Sequence, residues 1–204
     1  MFIKQLYTNC LSEAAYYIES EGEAAIIDPL RDTEAYVKLA GERKASIKYI
    51  FETHFHADFV SGHLDLSKQT GAPIVFGPQA KTNFTIHSAK DGEIFKLGKI
   101  SLEVLHTPGH AANHVCLVLV EDGLLFSGDH ILNGSTTIIN PPDGEMTAYL
   151  DSLDRLGSAC DEHEIDFILP AHGHVLGEAP QAIAQLKAHR LKREAKVVAA
   201  MTAR

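Results

Sequence analysis

Only three cysteines occur in the 204 residues, Cys10, Cys116 and Cys160, and no two are spaced as Cys-x-x-Cys. An odd, scattered set argues against a disulfide framework and fits a reducing compartment. Cys116 falls inside the apolar run 115–120, where it reads as a small buried hydrophobe. Basic charge is also scarce: 18 Lys and Arg stand against 27 Asp and Glu, a net charge of −9. A surface of that sign argues against nucleic-acid or anionic-membrane binding. No apolar run reaches the ~18 residues that span a bilayer. The opening Met-Phe-Ile-Lys-Gln lacks a basic segment followed by an apolar core, so no signal peptide is expected. These absences together lead us to expect a cytoplasmic protein. Low-complexity tracts and linkers are missing too, and with 45% hydrophobic residues the chain reads as one domain over 1–204.

What is present alternates between sheet and helix. Residues 2–7, 14–18 and 24–27 read as short strands, with turns near Asn9-Cys10 and at Ser20-Glu21-Gly22-Glu23. Asp32 is placed to cap a helix over 33–42, because its carboxylate accepts from unpaired first-turn amides. A buried strand over 47–51 follows, then a helix over 61–70 ended by Gly71, and a strand over 73–76. Residues 94–97 and 100–105 pair across Gly98-Lys99, and 115–120 and 124–126 across Asp122-Gly123. Met146, Leu150, Leu153 and Leu156 recur at helical spacing and predict an amphipathic helix over 146–156. The last strand is expected over 165–169 and the last helix over 180–203. That helix carries a basic run from Lys187 to Arg193, which reads as a solvated face. Two β-sheets facing each other with helices outside, an α/β sandwich, satisfy this order.

Four segments that follow strands contain residues able to bind a metal: Thr53-His54-Phe55-His56-Ala57-Asp58-Phe59, Thr107-Pro108-Gly109-His110, Ser127-Gly128-Asp129 and Pro170-Ala171-His172-Gly173. His54 and His56 share one side if their segment is extended, because side chains alternate with period two. Zinc requires nitrogen and oxygen donors at about 2.0–2.2 Å with a position left for water. Fe(II) oxygenases use two His and one carboxylate with several open positions. The set His54, His56, Asp58, His110, Asp129 and His172 meets both demands. The histidines His63, His87, His106, His114, His163, His174 and His189 read instead as capped or surface residues. Asp28 ends a strand and is placed to hydrogen-bond a ligand imidazole. His130 follows Asp129, so its side chain should point the opposite way. Gly109 and Gly128 let the backbone turn tightly beside ligands, and Tyr149 and Asn133 are expected near the mouth.

These motifs resemble the metallo-β-lactamase superfamily over essentially the whole chain. The resemblance implies an αβ/βα sandwich with metal at one sheet edge. It implies that His54, His56 and His110 hold a first metal, that Asp129 bridges, and that Asp58 and His172 belong to a second. Where the family motif His-x-His-x-Asp-His ends in His, this chain has Phe59. A phenyl ring cannot coordinate, so loss or weakening of the second ion is expected. Residues 1 to about 107, with Ile27-Asp28-Pro29-Leu30-Arg31-Asp32, the stretch from Phe51 to Gly62 and Thr70-Gly71-Ala72, look like persulfide dioxygenases, especially those fused to rhodanese domains. In that group one Fe(II) is held by the residues matching His54, His110 and Asp129, an arrangement with which Phe59 is compatible. From Thr107 onward, Pro108 to His114, Phe126 to His130 and Pro141 to Met146 look like β-lactamase-like hydrolases related to glyoxalase II. The dioxygenases carry Gly-Asp-x-Gly-Arg-x-Asp, whose Arg helps hold glutathione; here Ile131 to Thr136 contains no Arg.

The hydrolase implied by this resemblance uses one or two zinc ions and acts on a small thioester, lactone or other acyl substrate. Its metal lowers the pKa of water from ~15.7 towards ~7, and Asp58 orients that water or accepts its proton. The alternative is a dioxygenase with a single Fe(II), oxidising glutathione persulfide to sulfite. A third reading is a degenerate metal-binding protein without activity. Hydrolysis is placed first. The expected partner is a small-molecule substrate, with no nucleic acid and no membrane, and a homo-oligomer left open.

Overall fold

A computed structural model describes residues 1–10 and 12–202. Its first sheet begins with β1 (Phe2–Thr8), β2 (Glu13–Ser20) and β3 (Glu23–Ile27), which pair antiparallel in chain order. Helix α1 (Glu34–Arg43) then carries the chain back to β4 (Ser46–Glu52), which lies parallel to β3. Helix α2 (His63–Thr70) does the same for β5 (Ile74–Phe76), and the two-residue β6 (His87–Ser88) closes the edge. The second sheet runs β7 (Ile94–Leu97), β8 (Ile100–His106), β9 (Val115–Leu119), β10 (Leu124–Gly128) and β11 (Phe167–Pro170), with spatial order 11-10-9-8-7. Between β10 and β11 runs α3 (Met146–Glu162), and α4 (Ala179–Thr202) follows β11. Crossover helices on parallel β3–β4–β5 and β10–β11 fall outside the sheets, as parallel pairing requires.

Three apolar layers result. Tyr16, Ile18, Phe51, Phe95, Val104, Leu117 and Phe126 meet between the sheets. Tyr17, Ile26, Ile50 and Leu66 pack the first sheet on its helices. Val118, Leu125, Leu153, Leu156 and Ile168 pack the second sheet on α3 and α4. Strands such as β2 and β9 are buried along their whole length because both faces are covered, so they read as continuous apolar runs rather than alternating ones. The αβ/βα sandwich is therefore the observed architecture.

Several boundaries differ from expectation. Thr33, not Asp32, stands at the N-cap of α1, and the Asp32 carboxylate accepts the Glu34 amide from one position further out, at 3.2 Å. The second helix starts at His63 rather than at residue 61, because Ser61 is used elsewhere: its hydroxyl donates to Glu52 and accepts the His63 amide. Helix α3 runs to Glu162, well past residue 156, with its amides capped by Glu145. The expected strand over 165–169 begins only at Phe167, since the Ile165 amide still bonds back to Cys160. Strand β6 was not anticipated; two residues carry no periodicity. Residue 203 of the expected last helix lies outside the described residues. No helix is long and apolar enough to cross a membrane among the described residues.

Cys116 and Cys160 are buried, and burial pushes their thiols up to about 12 and about 11, whereas Cys10 is exposed. A disulfide-exchange reagent at pH 8 is expected to titrate one thiol in the native protein and three after denaturation. Rapid native reaction of two or more would show the second layer to be less closed than described.

Candidate metal centre

All four segments that carry the candidate ligands leave strand ends on one rim of the sandwich. His54 follows β4, His110 lies in the β8–β9 loop, Asp129 follows β10, and His172 follows β11. The first loop is held by Asp28, just past β3, whose carboxylate accepts both the Thr53 amide (2.7 Å) and the Thr53 hydroxyl (2.8 Å). Because that hydroxyl donates to Asp28, it accepts from His54 Nδ1 at 3.0 Å. The lone pair of His54 is thereby left on Nε2, 3.8 Å from Asp129 Oδ2. His110 repeats the logic: Nδ1 donates to the Ile138 carbonyl at 2.7 Å, leaving Nε2 3.7 Å from the same carboxylate oxygen. Burial, then the surrounding imidazoles His56, His114, His110 and His172, hold His54 well below the ordinary histidine value, so it is neutral.

Asp129 is positioned from behind. Its amide donates to His114 Nε2 at 3.2 Å, and His114 Nδ1 in turn meets the Thr107 hydroxyl at 2.9 Å. Gly128 at φ +50° makes that approach feasible; a Cβ there would come within 2.7 Å of His114 Nε2 and Thr53 Oγ1. Gly109, at φ +129°, is likewise needed, since a Cβ would sit 2.4 Å from the Tyr149 backbone. Asp129 Oδ1 is buried without a hydrogen bond. Burial raises its carboxyl against the pull of His172 and His110. His172 Nε2 stands 3.4 Å from that oxygen and 3.1 Å from Asp58 Oδ2, and Asp58 is open to solvent.

Donor atoms of His54, His110 and Asp129 lie mutually within 4.8 Å. Two imidazoles with their free nitrogens fixed, facing Oδ2 of a carboxylate whose other oxygen is buried without a hydrogen bond, are a donor set that suits a divalent ion. His56 stands apart from this trio. The chain from Thr53 to Phe59 is not a strand, so period-two alternation does not govern it. The His54 and His56 rings lie 4.3 Å apart, yet His56 Nε2 is taken by Asp28 (3.1 Å) and Glu52 (3.3 Å). Its Nδ1 is buried and unpartnered. Phe59 packs on the His56 ring at 4.2 Å.

Behind the first loop, Asp28, Glu52 and His56 form a second group with mutual distances within 4.8 Å, and His63 Nδ1 reaches Glu52 at 3.3 Å. Sequence reading assigned His63 a capped or surface role and did not single out Glu52 or Glu13, because each is a lone polar residue at a strand or helix end. His114, the hub under Asp129, was missed for the same reason. His130 is buried between Tyr149 at 4.4 Å and His114 at 5.5 Å, and burial pushes it down to about 3. Tyr149 is not at the mouth; it is fully buried, its hydroxyl donating to the His130 carbonyl at 2.8 Å. Asn133 donates to the His174 carbonyl.

Comparison with known proteins follows the same line. The model of the metallo-beta-lactamase superfamily matches residues 8–162. An atrochrysone carboxyl ACP thioesterase from Emericella nidulans is 29% identical over 161 residues, 77% of this chain and 48% of the relative. The chain spans about half the length of the curated relatives it matches. Among solved structures, ETHE1 from Myxococcus xanthus superposes with a TM-score of 0.78 at 25% identity, over 88% of this chain and 80% of that one. A metallo-beta-lactamase from Staphylococcus aureus subsp. aureus COL gives a TM-score of 0.75 at 34% identity, over 85% and 55%.

Glu13 opens β2 with both carboxylate oxygens buried and unpartnered. Burial, then Asp28, pushes it up from 4.5 to about 9. The folded value exceeds the unfolded one, so the folded chain keeps a proton that the unfolded chain sheds. Stability from this group is full below about 4.5 and falls as pH rises towards 9. In chelator-treated protein, Glu13→Gln should flatten the loss of Tm between pH 5 and 9. An unchanged slope would show that Glu13 is charged in the fold.

Proposed function

The chain belongs to the metallo-beta-lactamase superfamily, and on that premise we propose that it is a metal-dependent hydrolase of a small thioester. The convergence of His54, His110 and Asp129 donor atoms carries this reading. Thioesterase relatives in Emericella nidulans and Aspergillus chevalieri support the substrate class.

His54 Nε2, His110 Nε2 and Asp129 would hold the ion. Zinc or iron(II) fits this donor set. When bound, the ion lowers the pKa of water from ~15.7 towards ~7 and polarises the thioester carbonyl. Asp58, solvent-open and 3.1 Å from His172, orients the attacking water and takes its proton. His172 keeps the Asp58 carboxylate facing Asp129 by contacting both. Water adds to the carbonyl carbon, the C–S bond breaks, and the proton held at Asp58 passes to the departing sulfur, giving a carboxylic acid and a thiol. Asp28 acts through Thr53 by fixing the imidazole of His54. With Phe59 in place of an imidazole, Asp58, Asp129 and His172 are what remains for a second ion, so one equivalent is expected.

One observation favours a second reading, an iron(II) persulfide dioxygenase. The trio that converges is two His and one carboxylate, and His56 is drawn off to Asp28 and Glu52. Thiol release from acyl thioesters and oxygen uptake with glutathione persulfide separate the two.

Protein as purified should carry one metal equivalent and release thiol from acyl thioesters, without consuming oxygen on persulfide. Asp58→Asn should lower kcat by about 10²–10⁴-fold with metal content unchanged. His110→Ala should reduce the metal content itself. Oxygen uptake with persulfide and no thiol release would replace the hydrolase by the dioxygenase.

A further inference from the structure

A groove of about 440 Å³ lies between the C-terminal half of α4 and the loop that leads to α3. The metal centre adjoins it through two shared residues. The Ile138 carbonyl accepts from His110 Nδ1, and the Thr137 hydroxyl donates to the Asp129 carbonyl at 2.6 Å, while both residues line the groove. One wall is apolar, with Ile138, Met146 and Val197 exposed. Arg190 and Arg193 line it as well, against the single carboxylate of Glu194.

The basic run on α4 is therefore more than a solvated face. Arg190 crosses to the loop: its guanidinium donates to the Thr137 carbonyl and sits 5.1 Å over the Tyr149 ring, and its buried Nε has no partner. Arg193 is exposed and forms no ion pair among the described residues. In a chain of net charge −9, a two-arginine groove beside the metal centre is a local reversal of sign, and arginine forks suit phosphate oxygens.

We infer that this groove holds the thiol arm of the substrate, and that the arm ends in a phosphate, as pantetheine 4′-phosphate does. The apolar wall contacts the stem, and Arg193 with Arg190 meets the phosphate. This rests on the thioesterase reading for its chemistry, though the binding site itself does not. Such an arm occurs both in coenzyme A and on carrier proteins, and the two sources share the phosphate.

Binding and turnover test this separately. Calorimetry with pantetheine 4′-phosphate and with pantetheine should show tighter binding of the phosphorylated arm, weakened by added salt. Arg193→Gln should abolish that preference, and Arg193→Lys should restore part of it. In hydrolysis, the acetyl thioester of pantetheine 4′-phosphate should have a lower KM than that of pantetheine, and Arg193→Gln should raise only the former, about 3–10-fold, with kcat unchanged. Acetyl-coenzyme A cleaved as well as acetyl-pantetheine 4′-phosphate indicates a free carrier, and poorer cleavage a protein-bound one; both uphold the groove. Equal affinity for the two arms, or no effect of Arg193→Gln, overturns the inference. Phosphate-dependent binding without hydrolysis leaves the groove standing and removes the thioesterase.

Discussion

The two imidazoles that face Asp129 Oδ2, His54 and His110, have their second nitrogen already spent. His54 Nδ1 is held by Thr53, which Asp28 holds in turn, and His110 Nδ1 is held by the Ile138 carbonyl. This fixes one tautomer in each ring and turns both free lone pairs onto one carboxylate. The rest of the structure can be understood as the means of bringing these groups together. Strand β3 supplies Asp28, β4 supplies the first loop, and β10 supplies Asp129, while the two sheets press their common core between them. Links between the sheets keep the rim in register. Tyr16 of β2 donates to the Pro170 carbonyl at 2.7 Å, and the Ala14 amide bonds the Ala171 carbonyl.

Behind the rim lies a second polar cluster in which His56 Nε2 meets Asp28 and Glu52, with His63 Nδ1 3.3 Å from Glu52. Burial and the two carboxylates act oppositely on His56, and the carboxylates win, holding it well above the ordinary histidine value. A cationic His56 beside Asp28 ties the first loop down through charge-assisted bonds, stronger than neutral ones. The same residue that the His-x-His spacing offered as a ligand thus has its Nε2 committed to the loop's anchorage.

Much of the architecture was legible because buried strands and crossover helices leave plain signals. The apolar runs of β4, β9 and β10, the Gly98-Lys99 turn and the leucine spacing of α3 each map onto an observed element, whereas β9 ends at Leu119 rather than 120 because Val120–Asp122 forms a turn of 3-10 helix before Gly123. Boundaries were lost where a side chain serves a tertiary partner, as Ser61 does for Glu52, or where a helix continues past its last regularly spaced leucine, as α3 does from Leu156 to Glu162. The rim residues stood out because His, Asp and Gly clustered at strand exits. What stayed hidden was support: His114, Glu52, His63 and Glu13 have no local pattern, and their meaning depends on neighbours far along the chain. Arg193 is exposed as a solvated face requires, but Arg190 donates to the Thr137 carbonyl, because a helix face shows its charge in sequence but not the loop folded against it.

The most direct test of the account is a crystal structure of the protein as purified, with anomalous scattering measured at the zinc and iron edges. The account predicts one strong peak bonded to His54 Nε2, His110 Nε2 and an Asp129 oxygen, with His56 still turned to Asp28 and Glu52. Two peaks of comparable height, or a single peak ligated by His56 instead of Asp129, would contradict it.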